Sequence, residues 1–240
     1  ALEFGARHKG DIRFLNELAK PNIAACLNVG SSHLGEFGSF EVLFKTKSEM
    51  FFASPSDAKI VVYHDQEELL QEALKAGKQV VSFGRNPKAT VRLETEPKLN
   101  KLNLEFKLKI NGKSHDFAVQ NLSMATPINA AAACAMAFAC GISVEHMQKG
   151  LANYKPPTGR FRPVQLQNFL LVDDAYNANP ESMAVGLESP RNPNEFENAV
   201  NSKGAVSPET RAIASSTPVR IPERTPGKIR RTSTFQRGIP

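Results

Sequence analysis

The chain has 240 residues, of which 41% are hydrophobic, so it can bury a core and form one or two domains. Its formal net charge of +6 is concentrated in residues 189–240, with nine basic and four acidic side chains, so we do not expect the nearly neutral body to bind nucleic acid. The longest apolar stretch, Ala130–Cys140, is too short to span a bilayer, which argues against membrane insertion.

Helices and strands are predicted to alternate between residues 11 and 84. Asp11 is the expected N-cap of a first helix whose apolar residues Ile12, Leu15 and Leu18 share one face. The elements that follow are a buried strand at 22–29, a polar loop at 30–39, a helix at 40–52, a strand at 59–64, a helix at 66–77 and a strand at 79–84. This order predicts an α/β fold with a mostly parallel sheet, in which ligands bind at the carboxyl ends of the strands.

From Ala89 onward the apolar period changes to strict alternation. Three segments, 90–96, 102–110 and 115–122, alternate apolar and polar residues, and Asn111-Gly112 marks a tight hairpin turn between the last two. We therefore expect an antiparallel extension of the sheet. Two helices are then predicted within residues 127–141 and 143–154.

The stretch KPPTG at 155–159 indicates a hinge between domains. A hairpin, an Asn-rich loop and a helix starting near Pro180-Glu181 are expected after it. Residues 189–240 contain seven prolines and no sustained period, so we predict a disordered tail. The expected organisation is a domain at 1–156, the start of a second domain at 157–188, and the tail.

The three cysteines lie in apolar runs without the spacing of metal ligands. Cys26, Cys134 and Cys140 are therefore interpreted as buried free thiols. Free thiols persist in reducing compartments, so the cytoplasm is the expected location.

Glu3, His33 and Lys47 are polar residues in or near loops at strand ends, and His33 lies in a loop that directly follows a strand. A carboxylate and an imidazole are ordinary ligands for a divalent ion that also binds phosphates. On composition alone, a surface or capping role for His33 and a solvated side chain for Lys47 remain open.

The string VDDAYNANPESM is harder to explain as a simple turn. An Asp at a strand end, such as Asp174, suits a ribose hydroxyl or a metal, and Asn suits unusual backbone angles. Arg160, in the hinge, can donate two parallel hydrogen bonds to a phosphate. The alternative is an ordinary surface arginine. Asn129 lies in the first turn of an Ala-rich helix, where it either stabilises the start of the helix or contacts a nucleotide base. The chain contains no GxxxxGK[ST] phosphate loop.

Together, the strings LEFGARHKGDI, NVGSSHLGEFGS, KTKSEM, GRF and DDAYNANPESM resemble the Mur ligases in order and spacing, over about residues 1–188. These are the ATP-dependent amino-acid ligases of peptidoglycan synthesis, and DDAYNANP resembles the MurF type. The resemblance implies transfer of the γ-phosphoryl group of ATP to a substrate carboxylate. The amine of D-alanyl-D-alanine then attacks the acyl phosphate, which extends UDP-N-acetylmuramoyl-tripeptide.

The resemblance also implies roles for individual residues. Glu3 and His33 match magnesium ligands, and Lys47 matches a lysine that becomes a carbamate and helps to hold a second Mg²⁺. Asn129 matches a residue near the adenine and Asp174 one near the ribose, while Arg160 matches a hinge arginine that reaches the phosphates. Lys47, His33 and Arg160 are thus the expected catalytic residues.

The chain departs from the family pattern at both ends. The family's phosphate loop and small N-terminal domain precede Glu3, and its third domain continues past Leu187. We therefore expect an incomplete central domain, the start of a Rossmann-like C-terminal domain, a monomer, and no ligation by this chain alone. The alternatives are a non-catalytic remnant whose basic tail binds acidic partners, and another Mur or folylpolyglutamate-type ligase.

Overall fold

Helices and strands alternate along the first part of the chain, as the apolar pattern predicts. The computed structural model describes residues 1–30, 34–100, 102–165, 170–176 and Met183. Every described residue lies in the first of two compact units, Ala1–Val206; the second, Ser207–Pro240, falls outside the described residues, and so does the predicted tail from 189. The helix expected near Pro180-Glu181 also lies outside them.

The helices within these ranges are α1 (Asp11–Ala19), α2 (Leu34–Phe37), α3 (Phe40–Ala53), α4 (Glu67–Lys75), α5 (Thr126–Ala139) and α6 (Val144–Ala152). The strands are β1 (Ile23–Cys26), β2 (Lys59–Tyr63), β3 (Val80–Gly84), β4 (Val91–Leu93), β5 (Lys98–Asn100), β6 (Asn103–Ile110), β7 (Lys113–Gln120), β8 (Arg162–Gln165) and β9 (Leu170–Asp173). No helix in these parts of the chain is long and apolar enough to cross a membrane.

Strands β1 to β7 form one mixed sheet. Its order is β1-β2-β3-β4-β6-β5, and β7 pairs with the other edge of β6. The pairs from β1 to β4 are parallel, whereas β6 is antiparallel to β4, β5 and β7. Both the parallel half and the antiparallel extension are therefore confirmed, and the carboxyl ends of β1, β2 and β3 lie at one edge of the sheet.

Helices cover both faces of this sheet. Successive strand residues point to opposite faces, so Ile60 and Val61 enter different cores. The core beneath α5 and α6 includes Val61, Phe83, Leu108, Ala131 and Met147. The core beneath α1, α3 and α4 includes Ile12, Leu43, Phe51, Ile60 and Leu69.

The start of α1 differs from the prediction. Gly10, with φ 95°, occupies the N-cap position, and the Asp11 carboxylate instead accepts the backbone N–H groups of Arg7 and His8, both at 2.8 Å. These two hydrogen bonds are the main reason that the pKa of Asp11 is lowered. Asp11 therefore stabilises the turn before the helix rather than the helix start.

Two predictions of burial were also wrong. Leu18 is 72% exposed, and Asn16 is fully buried on the core side of α1 instead. Cys140, expected to be buried, is exposed, whereas Cys26 and Cys134 are buried. Cys140 follows the last residue of α5, where the helix ends and packing against the sheet stops.

Both predicted hairpins are present. Asn111 and Gly112 have φ values of 49° and 77°, the left-handed geometry that a two-residue turn between β6 and β7 requires. Strands β8 and β9 pair antiparallel in a separate two-stranded sheet, with Arg162 opposite Asp173. Strand β5 was not predicted, because its three residues are too few to show a period.

Candidate functional site

Lys47 lies half-buried on α3, close enough to β1 for its charge to act on Cys26, the last residue of that strand. Burial raises the pKa of the Cys26 thiol to about 12, and the positive charge of Lys47 acts in the opposite direction. Within the described ranges, the Lys47 ammonium makes no hydrogen bond or ion pair, whereas Lys45 pairs with Glu41 at 2.6 Å. The two lysines of KTK thus differ, and Lys47 is the one that faces the sheet.

The N-terminal segment that carries Glu3 is attached to the same helix. Glu49, two positions after Lys47, accepts the backbone N–H groups of Gly10 at 2.9 Å and Arg13 at 3.1 Å. A carboxylate at the N-terminus of α1 also interacts favourably with the helix dipole. Glu49 therefore ties the segment of Glu3 to α3, although the Glu3 side chain itself is exposed.

His33 lies outside the described residues, so no distance joins it to Glu3 or Lys47. The loop that leads towards it is described up to Gly30. Its Val29 is held by Gln66, whose amide oxygen accepts the Val29 N–H at 2.9 Å and whose amide nitrogen donates to the Val29 carbonyl at 3.0 Å. Gln66 is the N-cap residue of α4, so this pair fixes the loop after β1 to the loop after β2.

No group of three or more His, Cys, Asp and Glu side chains in the described part of the chain is arranged to hold a metal. The predicted magnesium set consists of one carboxylate, one imidazole and one modified lysine, and His33 falls outside that part. Carboxylate and carbamate oxygens are the hard donors that Mg²⁺ prefers, so the chemistry of the set suits this ion.

The hinge residues and the end of β9 form one connected unit. The Gly159 N–H donates to Oδ2 of Asp173 at 2.9 Å, and the Tyr176 N–H donates to the Gly159 carbonyl at 3.1 Å. The Arg160 guanidinium lies over the Tyr176 ring, 3.7 Å from its centroid. The motifs GRF and DDAY, whose first residues Gly159 and Asp173 are 14 positions apart, thus meet at one place.

The backbone geometry favours a glycine at position 159. Its φ is 77°, in the left-handed region, and a Cβ there would lie 3.0 Å from the backbone nitrogen of Tyr176. The absence of a side chain lets the two segments approach this closely without a shift of the Tyr176 backbone.

The two remaining predicted residues lie apart from these contacts. Asp174 is exposed, next to Asp173, whose side chain points to Gly159. Asn129 is exposed in the first turn of α5, where its N–H donates to the Ala125 carbonyl at 3.2 Å. No hydrogen bond or ring contact joins Asn129 to Arg160 within the described ranges.

Four residues with a positioning role were missed by the sequence analysis: Glu49, Gln66, Asp173 and Tyr176. Asp173 and Tyr176 lie within DDAYNANP, so that motif was the sequence signal that could have identified them. Glu49 and Gln66 act on backbone groups 36 to 39 residues away, which no local pattern shows.

The family model described as the Mur ligase middle domain matches residues 1–137, more than half of the chain. The chain belongs to the Mur ligase family. A relative from Mycobacterium bovis, named UDP-N-acetylmuramoyl-tripeptide–D-alanyl-D-alanine ligase, is 35% identical over 191 residues, covering 78% of this chain and 37% of that protein. The protein of the same name from Escherichia coli K12 is 31% identical over 189 residues, with coverages of 78% and 42%.

A solved Mur ligase structure agrees with these relatives. MurF from Thermotoga maritima, in complex with ADP, superposes with a TM-score of 0.72 at 28% identity, covering 78% of this chain and 43% of that one. The chain spans about two-fifths of the length of the proteins that it matches. The resemblance to the MurF type of Mur ligase and the α/β fold are therefore confirmed, while the roles of individual residues stay predictions.

Proposed function

We propose that the protein to which this chain belongs is an ATP-dependent ligase that adds D-alanyl-D-alanine to UDP-N-acetylmuramoyl-tripeptide in the cytoplasm. The matches to the M. bovis and E. coli ligases, each over 78% of the chain, support this choice of substrates. The ADP in the similar T. maritima MurF supports the use of ATP.

The observation that carries the proposal is the junction of GRF with DDAY. Phosphoryl-transfer enzymes work mainly by positioning the phosphates and stabilising negative charge. The Arg160 guanidinium lies over the Tyr176 ring, and Tyr176 is two positions after Asp174 along the chain. A cation that can form two parallel hydrogen bonds with a phosphate, near in sequence to a carboxylate that suits a ribose hydroxyl, supports the proposal.

In the proposed reaction, the tripeptide carboxylate attacks the γ-phosphorus of ATP and ADP leaves, so that an acyl phosphate forms. The amine of D-alanyl-D-alanine then attacks the acyl carbon, an amide bond forms, and inorganic phosphate and a proton are released. Arg160 stabilises the charge on the transferred phosphoryl group, Asp174 binds the ribose, and Asn129 contacts the adenine.

Glu3, His33 and a carbamate on Lys47 would hold Mg²⁺, which when bound offsets the negative charge between ATP and the carboxylate. Carbamate formation needs a neutral, unpaired amine, which adds to carbon dioxide and releases a proton. The half-buried Lys47, with no ion pair in the described part of the chain, meets this requirement better than Lys45 does.

The test is a chimera of the E. coli ligase in which the segment aligned with residues 1–188 is replaced by those residues. Its product, UDP-N-acetylmuramoyl-pentapeptide, is measured by mass spectrometry together with phosphate release. We expect both to require ATP and D-alanyl-D-alanine, and Arg160→Gln to abolish both.

Three parallel assays replace D-alanyl-D-alanine with L-lysine, D-glutamate or L-glutamate. A folded chimera that uses one of these amines and rejects D-alanyl-D-alanine would assign the chain to another Mur or folylpolyglutamate-type ligase. A folded chimera without phosphate release on any amine would contradict the proposal.

A further inference from the structure

A half-open cavity of about 270 Å³ lies beside the hinge, apart from the Arg160–Tyr176 pair. It is lined by Gln120, Lys155, Pro156, Arg162 and Pro163. Gln120 ends β7 of the large sheet, and Arg162 begins β8 of the small one. The cavity thus lies where the two sheets meet, and neither Arg160 nor Tyr176 lines it.

Among the described residues that line it, the cavity has two cationic side chains, Lys155 and Arg162, and no anionic one. Among the described residues, neither Lys155 nor Arg162 forms an ion pair with a carboxylate. Arg162 donates one hydrogen bond, from Nη1 to Oγ1 of Thr158 at 3.0 Å, which orients the guanidinium and leaves most of its donors unused.

Asp173 is the one carboxylate that stands opposite Arg162, on β9. Its Oδ2 accepts the Gly159 N–H, and the side chain makes no ion pair with Arg162. The charge of Asp173 is therefore directed to the hinge backbone and does not line the cavity.

We propose that this cavity binds a small free oxyanion of the phosphate class, inorganic phosphate or pyrophosphate. The Arg162 fork matches two phosphate oxygens, Lys155 adds a second positive charge, and the Gln120 amide can donate a further hydrogen bond. A volume of about 270 Å³ is below the roughly 300–1,000 Å³ of pockets that enclose drug-sized ligands. The space suits a phosphate or pyrophosphate rather than a whole nucleotide.

Because of where the two cations lie, a bound anion would affect the mobility of the hinge. Lys155 directly precedes residues 156–161 and Arg162 directly follows them, so one bound anion joins both ends of the segment. Pro156 and Pro163 have fixed φ angles, which limit how the cavity walls can move before binding. Anion binding is thus expected to stiffen the hinge, independently of the proposed ligase activity.

The experiment is isothermal titration of the 240-residue chain with pyrophosphate, with phosphate and with ADP, at two salt concentrations. We expect one pyrophosphate site, weakened roughly tenfold or more by Lys155→Gln and by Arg162→Gln, since each variant removes a charge-assisted contact. The matched control is Lys149→Gln on α6, an exposed lysine that does not line the cavity and is expected to leave the affinity unchanged. Circular dichroism melting shows whether each variant is folded.

Three outcomes would overturn the proposal. In the first, both cavity variants bind pyrophosphate as tightly as the parent chain. In the second, Lys149→Gln weakens binding equally, which would indicate diffuse attraction to the surface. In the third, the result points to a nucleotide site. Either Arg160→Gln abolishes pyrophosphate binding and the cavity variants do not, or ADP binds more tightly than pyrophosphate and the cavity variants abolish ADP binding. The Arg160→Gln arm separates this site from the one proposed for ATP, so failure here leaves the ligase proposal untouched.

Discussion

The guanidinium carbon of Arg160 lies 3.7 Å from the centroid of the Tyr176 ring. This contact joins the hinge to the segment after β9. Gly159 makes two hydrogen bonds at the same junction: its N–H donates to Oδ2 of Asp173, and its carbonyl accepts the Tyr176 N–H. A cation held over an aromatic face keeps its edge N–H groups free for a phosphate. If Arg160 binds the phosphates of ATP as proposed, we expect Tyr176 to act as a positioning residue for it.

We expect Tyr176→Leu in the chimeric ligase to raise the KM for ATP by about two- to fivefold with a smaller effect on kcat, because an exposed cation–π contact contributes about 0.5–1 kcal/mol. Tyr176→Phe keeps the ring and is expected to retain the parent KM. Steady-state kinetics at varied ATP concentration measure the KM and kcat of both variants. An equal loss in both variants would assign the effect to the hydroxyl group and contradict the stacking role.

Gly159→Ala is expected to destabilise the chain by about 1–3 kcal/mol, since a left-handed φ and a Cβ contact at 3.0 Å both oppose a side chain there. The matched control is Gly150→Ala within α6, where a Cβ meets nothing within 4 Å. That change is expected to raise the free energy of unfolding by about 0.5–1 kcal/mol, because alanine has a higher helix propensity than glycine. Urea unfolding measures both, and a neutral Gly159→Ala would show that the hinge adapts.

Asn16 is fully buried between α1 and α3, where its Oδ1 accepts a hydrogen bond from Oγ of Ser54 at 2.9 Å. Its Nδ2 has no partner among the described residues. Asn16→Leu removes this unsatisfied amide with the same number and branching of side-chain heavy atoms, and the Ser54 hydroxyl keeps the Met50 carbonyl as its partner. We therefore expect the free energy of unfolding to change by less than about 1 kcal/mol or to increase.

Asn16→Asp is the companion variant. Its side chain has the same shape, but burial disfavours the charged form of its carboxyl group. It is expected to destabilise by about 3 kcal/mol or more at neutral pH and by less in acid, where the carboxyl is protonated. Urea unfolding at two pH values distinguishes the two variants. A large loss in Asn16→Leu would indicate that the amide binds a buried water.

The repeating pattern of apolar residues was enough to predict the sheet, its antiparallel half and most helices. It failed where a residue's partner is distant in sequence. Leu18 fits the apolar face of α1 by period, yet Asn16 takes the buried place because Ser54, the residue after α3, offers it a hydrogen bond. Likewise, nothing local shows that Asp173 reaches Gly159. Motif strings located the candidate site, whereas the contacts that position it required coordinates.

Lys47 and Lys45 are two positions apart on α3, and they provide a matched test of the proposed carbamate. The Glu41 carboxylate raises the pKa of Lys45, so that at a given pH less of its amine is neutral and able to add carbon dioxide. Lys47 makes no such pair in the part of the chain that the structure describes. We expect ¹³C-bicarbonate at mildly alkaline pH to give a carbamate carbonyl signal in the NMR spectrum of the chain.

Lys47→Gln is expected to remove that signal, and Lys45→Gln to leave it in place. Acidification should weaken it in the parent chain, because protonation of the amine competes with carbon dioxide. Added Mg²⁺ should strengthen and shift it, since a bound cation stabilises the anionic carbamate. Equal loss in both variants, or a signal that survives Lys47→Gln, would contradict the role proposed for Lys47 and leave it a half-buried helix lysine.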